Sequence, residues 1–341
     1  MTWIHRMLRC TLVVIGVPLA LSLLSMNNSV RASTSQDYPF RPLRFVVPFA
    51  TGSTADIVAR LFGTYVSERL GQPVIVENRS GAGGVIGVEA VTSASPDGYT
   101  LLLTTSSTLV INPSLYKNLK YDVARDLAPI AELGVLPALL IAPPSLPANN
   151  IAELVSYARQ HPGKLSYASN GLGSYAHVMM ELLKTSTGME IEHIPYRGGN
   201  QADTDLIAGN VHLMFNSLAA AAPQVNSGRL KALAVSSAQP SPLMPGVPGM
   251  AKSGVSELDT YDVSYWVGLL APADTPTEVV KALNTIANEW ITDSEVRTTL
   301  AEQKILAPSP KSPDAVGDLI RSETLQWETV LKSAKVDPQN Y

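Results

Sequence analysis

The chain is 341 residues long, carries a formal charge of −4 and contains one cysteine. That length suits two ordinary domains. With an acidic balance, no basic stripe and no Lys/Arg-rich amphipathic segment, it offers nothing to nucleic acid or to a lipid surface. A bound anion must therefore be held by local dipoles rather than by bulk charge.

The first residues have the grammar of an export signal. Arg6 and Arg9 stand in a start without acidic groups, an apolar run follows from Thr11 to Leu24, and Val30-Arg31-Ala32 offers a small-residue cut after Ala32. The run is shorter than the roughly 20 apolar residues that span a bilayer, and it holds Pro18. Residues 1–32 are thus expected to be a removable signal peptide, and the mature chain to be periplasmic. Losing Arg6, Arg9 and Arg31 moves the formal charge from −4 to −7. Cys10 leaves with the signal, and Arg9 occupies the place where a lipoprotein box needs a small residue. Without a thiol, a disulfide framework, a thiolate metal site and a catalytic cysteine are all excluded.

Beyond the signal, one unit recurs: a short apolar strand, a turn of Gly, Ser and Thr, then an amphipathic helix. Phe45–Phe49 is the first strand, 50–54 its turn, and a helix from about Asp56 to Leu70 stops at Gly71. Val74–Glu77 leads through the turn 78–84 into a helix over about 85–93. Leu101–Leu103 ends in the hydroxyl run Thr104-Thr105-Ser106-Ser107. The apolar pieces 128–133 and 138–142, separated around Gly134 and Pro137, read as a passage between lobes, as does the Pro/Ser/Gly-rich stretch 236–254. Leu165–Ala168 leads through Ser169 to Ser174 into a helix, and Ile191–Tyr196 through Arg197-Gly198-Gly199 into another. A strand is expected over 265–271. Thr275-Pro276-Thr277-Glu278 reads as a capping box before one helix, and Ser312-Pro313 opens the last. Apolar strands separated by helices predict an α/β fold with parallel sheets covered on both faces.

In such sheets ligands bind where the loops at the strands' carboxyl ends meet. The four Gly/Ser/Thr turns occupy that position and bring backbone N–H groups at helix N-termini, which suits a small carboxylate. Other chemistries fit less well. In Gly81-Ala82-Gly83-Gly84-Val85-Ile86-Gly87 a dinucleotide fingerprint would need glycine at 86. Gly171-Leu172-Gly173-Ser174 puts its serine in the wrong place for a nucleophile elbow. His161, His177, His193 and His212 have no metal-ligand spacing, and no cofactor is implied. His177 reads two ways, as a group reaching Ser174 or a ligand, or as a hydrogen-bonded helix histidine. Asp56 reads as a complement to its helix dipole or as a site residue, and Asp205 as a site acid or a solvated helix residue.

The ordered set of motifs resembles the Bug solute receptors of tripartite tricarboxylate transporters. It comprises Phe45 to Arg60 with Asp56, Val76-Glu77-Asn78-Arg79 before Gly81-Ala82-Gly83-Gly84, Pro96-Asp97-Gly98-Tyr99, Asn112-Pro113-Ser114-Leu115-Tyr116, Tyr167-Ala168-Ser169 through Ser174 to His177, Tyr196-Arg197-Gly198-Gly199, Thr204-Asp205-Leu206 with Gly209, and Trp266-Val267-Gly268. The resemblance implies a periplasmic binding protein of type II-like fold, with two α/β lobes and a ligand cleft between them. Lobe 1 would comprise 38–136 plus 263–341, and lobe 2 would comprise 137–262. It also implies a small organic acid held by backbone amides and waters, a membrane permease as partner, a monomer, and no catalysis. Ligand contacts carried over by position are Phe49, Thr51, Gly52, Ser53, Ala82, Gly83, Ser106, Ser169, Asn170, Gly171, Ser174, His177, Tyr196 and Asp205. Three positions depart from the family's pattern: Ala50-Thr51-Gly52-Ser53 replaces Pro-Gly-Gly, Asp203 an apolar residue, and His212 an acid. Two rival functions are a signalling receptor on the same fold and a hydrolase built on Ser174 and His177.

Overall fold

The computed structural model describes residues 38–196 and 199–340; the expected signal peptide, Cys10 and Arg197-Gly198 lie outside the described residues. In chain order the elements are β1 (Leu43–Val47), α1 (Thr54–Leu70), β2 (Val74–Asn78), α2 (Val85–Thr92), β3 (Thr100–Thr105), α3 (Asn112–Leu115), α4 (Val123–Asp126) and β4 (Leu127–Ala142). There follow α5 (Ile151–Gln160), β5 (Leu165–Ser169), α6 (Tyr175–Thr187), β6 (Ile191–Pro195), α7 (Gly199–Ala208), β7 (Leu213–Ser217), α8 (Leu218–Asn226) and β8 (Lys231–Val235). The chain closes with β9 (Ser264–Pro272), α9 (Thr277–Thr292), α10 (Ser294–Glu302) and α11 (Pro313–Ser333).

The strands run in the order β2-β1-β3-β9-β4-β7-β5-β6, with β8 also on β4. The two ends of this order are parallel, as apolar strands linked by helices require. The middle is antiparallel, which corrects the expectation of purely parallel sheets. Its cause is β4. The two apolar pieces expected around Gly134 and Pro137 form one 16-residue strand. Over 127–137 that strand pairs with β9, and over 138–142 with β7 and β8. Register shifts at 129/131 and 132/134 bend it in its first half, so one strand serves two sheet halves.

Helix ends follow their local chemistry. Ser53, Ser174 and Ser217 cap α1, α6 and α8 with their hydroxyls, and Gly71 and Gly188 end α1 and α6 in the left-handed conformation. Ser312 caps α11 with Pro313 in its first turn, as the sequence predicts. The capping box expected at Thr275 does not form. Helix α9 starts at Thr277 after Pro276, and the Thr275 hydroxyl instead donates to Pro272 O at 2.7 Å.

Apolar packing ties the halves together. One buried cluster runs from Val46 and Leu102 through Trp266 and Trp327 to Tyr167 and Leu213, so α11 lies under both. Trp266, Trp290 and Trp327 are buried core residues. Among the described residues, no helix is long and apolar enough to cross a membrane.

Candidate functional site

The carboxyl ends of β1, β2 and β3 carry the first group of candidate residues. Asp56, 2% exposed, organises them. Its carboxylate accepts the Gly52 N–H at 2.9 Å, two donors of Arg60 at 3.1 and 2.9 Å, and Asn78 Nδ2 at 3.0 Å. Burial pushes the Asp56 carboxyl up, but Arg60, Gly52 and Asn78 together outweigh it and hold it below the usual range. Asn78 Nδ2 also donates to Phe49 O at 3.0 Å, and Thr51 Oγ1 donates to Asn78 Oδ1 at 3.2 Å. Asp56 therefore shapes the 49–53 loop, and the Gly52 amide is already engaged.

The turn after β2 is built from four successive residues with positive φ: Gly81 at 139°, Ala82 at 48°, Gly83 at 61° and Gly84 at 96°. Side chains rarely adopt this left-handed run, which is why three of the four are glycine. A Cβ on Gly83 would lie 2.7 Å from the Tyr116 hydroxyl, and one on Gly84 would press on Thr108 beside Phe49. Gly83 O accepts Asn112 Nδ2 at 3.1 Å. Ser106, at the end of β3, is fully buried.

The second group stands at the ends of β5, β6 and β7. The hydroxyl of Ser169 accepts the Gly171 N–H at 3.2 Å, and Tyr196 N donates to Ser169 O at 2.9 Å. Asn170 is exposed at the loop tip. Ser174 Oγ accepts the His177 N–H at 3.4 Å as the α6 cap, while His177 Nδ1 accepts the Gly173 N–H at 3.0 Å. His177 Nδ1 is thus turned to the loop backbone rather than to Ser174. Tyr196 donates its hydroxyl to Asp205 Oδ2 at 2.7 Å, and Asn210 Nδ2 donates to Asp205 Oδ1 at 3.1 Å. Those donors hold the Asp205 carboxyl below its usual range, and burial with the same contact pushes the Tyr196 phenol up to about 12. Asp205 is therefore tied to Tyr196 and its own helix end.

Two contacts join the groups. Ser106 Oγ lies 3.4 Å from Tyr175 Oη, and Tyr175 donates to Ser264 O at 3.2 Å. Gly173, at φ 73°, packs so closely on Leu115 that a Cβ there would run into that side chain. The carboxyl-end loops of both sheet halves thus face one another.

Several residues near this crevice were not singled out from sequence. Asn78 and Tyr175 act through contacts with residues far along the chain. His193 stacks on His177 and Tyr167 only because β5 and β6 pair in the register Tyr167↔His193. The two unusual residues have partners too: Asp203 accepts Asn216 Nδ2 at 2.8 Å, and burial pushes its carboxyl up. His212 Nδ1 accepts Ser166 N at 3.0 Å, pinning β7 to β5. Among the described residues, no group of three His, Cys, Asp or Glu side chains could hold a metal ion.

Residues 58–336 match the family model described as "Tripartite tricarboxylate transporter family receptor". Protein BugT of Bordetella pertussis is 36% identical over 323 residues, covering 94% of this chain and 96% of that protein. The structure of R. palustris Rpa4515 with adipate is 36% identical at a TM-score of 0.75, covering 89% of this chain and all of that one. MatC from Rhodopseudomonas palustris with bound malate is 33% identical at a TM-score of 0.70, covering 86% of this chain and all of that one. The fold is thus the two-lobed α/β fold of periplasmic solute-binding proteins. On the family match and these relatives, the chain belongs to the receptor family of tripartite tricarboxylate transporters.

Proposed function

We propose that this protein is an extracytoplasmic receptor that captures a small organic acid between its lobes and delivers it to a membrane permease of the tripartite tricarboxylate type. The observation that carries the reading is the meeting of amide- and hydroxyl-rich loops from both sheet halves, in a chain whose relatives of known structure hold adipate and malate. Both of those ligands are dicarboxylates. Backbone amides and hydroxyls suit carboxylate oxygens without an arginine clamp. The internal bonds of Gly52, Gly171 and Gly173 supply preorganisation: they hold the loop shape, so less freedom is lost when a solute arrives.

The change of partners along β4 supports lobes of 38–136 plus 263–341 and of 137–262, with the hinge where β4 and β9 cross between them. Closing about that hinge removes water from the solute and strengthens each N–H···O contact. No bond is made or broken in this cycle. Removal of residues 1–32 on export places the receptor in the periplasm as a monomer. The contacts of Ser174 and His177, a helix cap and a backbone acceptor, favour this reading over hydrolysis.

A thermal-shift screen of mono-, di- and tricarboxylates and amino acids tests the proposal. A true ligand at one hundred times its Kd stabilises by about 2.7 kcal/mol. The expected outcome is a rise in melting temperature with one dicarboxylate class. A flat response to every acid, with none co-purifying, overturns it.

A further inference from the structure

Beneath the 169–174 loop lies a cluster of three near-parallel rings, in which Tyr167 and His177 are also 6.4 Å apart. His193 of β6 lies 4.7 Å from the ring of Tyr167 of β5, and His177 of α6 lies 4.3 Å from His193, with interplanar angles of 14° and 16°. The two histidines turn ring nitrogens to the loop. His193 Nε2 is 2.6 Å from Ser169 Oγ, whose hydroxyl donates to Gly171 O at 3.0 Å and accepts Gly171 N at 3.2 Å. His177 Nδ1 receives the Gly173 N–H. Tyr167 anchors the cluster by donating to Glu181 Oε1 at 2.5 Å, and Lys184 pairs with the same oxygen at 2.7 Å.

We propose that His193, acting with His177, is a positioning residue that sets the shape of the 169–174 loop for solute capture; the idea rests on the receptor reading above. His193 works through Ser169 and His177 through Gly173, so between them they fix both ends of the loop's backbone. The loop is built for neutral rings. A proton on His177 Nδ1 would set an N–H against the Gly173 N–H, and charge on one ring opposes charge on the other across 4.3 Å. The charged groups facing the two histidines are Glu181 and Lys184, both on α6, and they pull in opposite directions on each ring. Burial, then the neighbouring His177 ring, pushes His193 down to about 4, and burial pushes His177 down. Both histidines are therefore neutral at pH 7, and the loop's order declines only as pH falls toward about 4, where His193 takes up its proton.

The test reads the ligand-free protein and the liganded one separately. In the ligand-free chain, the backbone amide signals of Gly171 and Gly173 are expected to shift together below the usual histidine range, with the imidazole signals of both histidines, that of His193 near about pH 4. His193→Ala is expected to move both glycine signals at pH 7 and to weaken adipate or malate binding about tenfold, the size of one lost net hydrogen bond. His193→Gln keeps an amide able to meet Ser169, so it should restore binding to within about threefold and remove the imidazole contribution to the glycine titration. Glycine signals that ignore pH, or that His193→Ala leaves in place, overturn the proposal, as does a His193→Gln variant as weak as His193→Ala. A folded wild-type protein with the expected glycine titration but no affinity for any organic acid overturns the receptor reading instead.

Discussion

Asp56 and His177 carry the kind of residue that sequence reading marks as chemistry, and in both cases the partner decides the role. A carboxylate 2% exposed must find donors, and Asp56 finds them in Gly52, Arg60 and Asn78. Asp56→Ala leaves the Asn78 amide and the Gly52 N–H without their acceptor. It should lower stability by about 2–3 kcal/mol, read by chemical denaturation, and loosen the 49–53 loop. Its pH signature follows from the lowered carboxyl. The stabilisation is present above the unfolded value near 3.8 and is lost as pH falls through the lower folded value. Asp56→Ala should therefore abolish part of the acid sensitivity as well. Asp56 was legible as a helix-terminal acid, but its contact with Asn78, 22 positions away, was not.

Among the elements, β4 and the glycine turns are the most instructive. Gly134 and Pro137 look like breaks when read locally, because glycine and proline weaken strands. Here Gly134 pairs at a register shift and Pro137 stands opposite Ser264, where the strand changes partners, so the irregularities bend the strand without ending it. Gly173 shows the opposite case, a glycine required twice over, by φ 73° and by the Leu115 side chain. Gly173→Ala should cost at least about 1 kcal/mol and weaken solute binding, because the loop can no longer seat on the other sheet half. Tyr175→Phe is the milder probe of the same junction. It removes the hydroxyl that meets Ser106 and Ser264 and should cost about 1 kcal/mol in thermal denaturation.

At the scale of the whole molecule, the crossing of β4 and β9 holds an acid that the fold keeps partly protonated. Glu323 on α11 accepts Trp266 Nε1 at 3.1 Å with either oxygen, and burial, with Glu132 nearby, pushes its carboxyl up to about 7. Glu132 itself is ion-paired with Lys311 at 2.5 Å, though burial still pushes its carboxyl up. Since the folded value lies above the unfolded one near 4.5, Glu323 favours folding fully below about pH 4.5. That contribution falls away as pH rises toward 7. Glu323→Gln should therefore stabilise the protein at pH 8, by up to about 2 kcal/mol, and flatten its stability between pH 4.5 and 7. Denaturation midpoints measured at pH 5 and pH 8 check this, and an unchanged difference between them speaks against it.

Local patterns carried the recurring strand–turn–helix unit, the Ser312-Pro313 helix start, the stop at Gly71 and the α/β class. Each depends on residues within a few positions of one another, where propensity and periodicity act. The motif set also pointed to the family, since an ordered series of loops is itself a linear signal. Tertiary packing settled the rest. That β4 runs unbroken through Pro137 along β9, and that His193 stacks on His177, both follow from chain segments meeting in the folded chain. No local pattern encodes such meetings, because their energy comes from burial and from pairing polar groups that only the folded chain brings within reach.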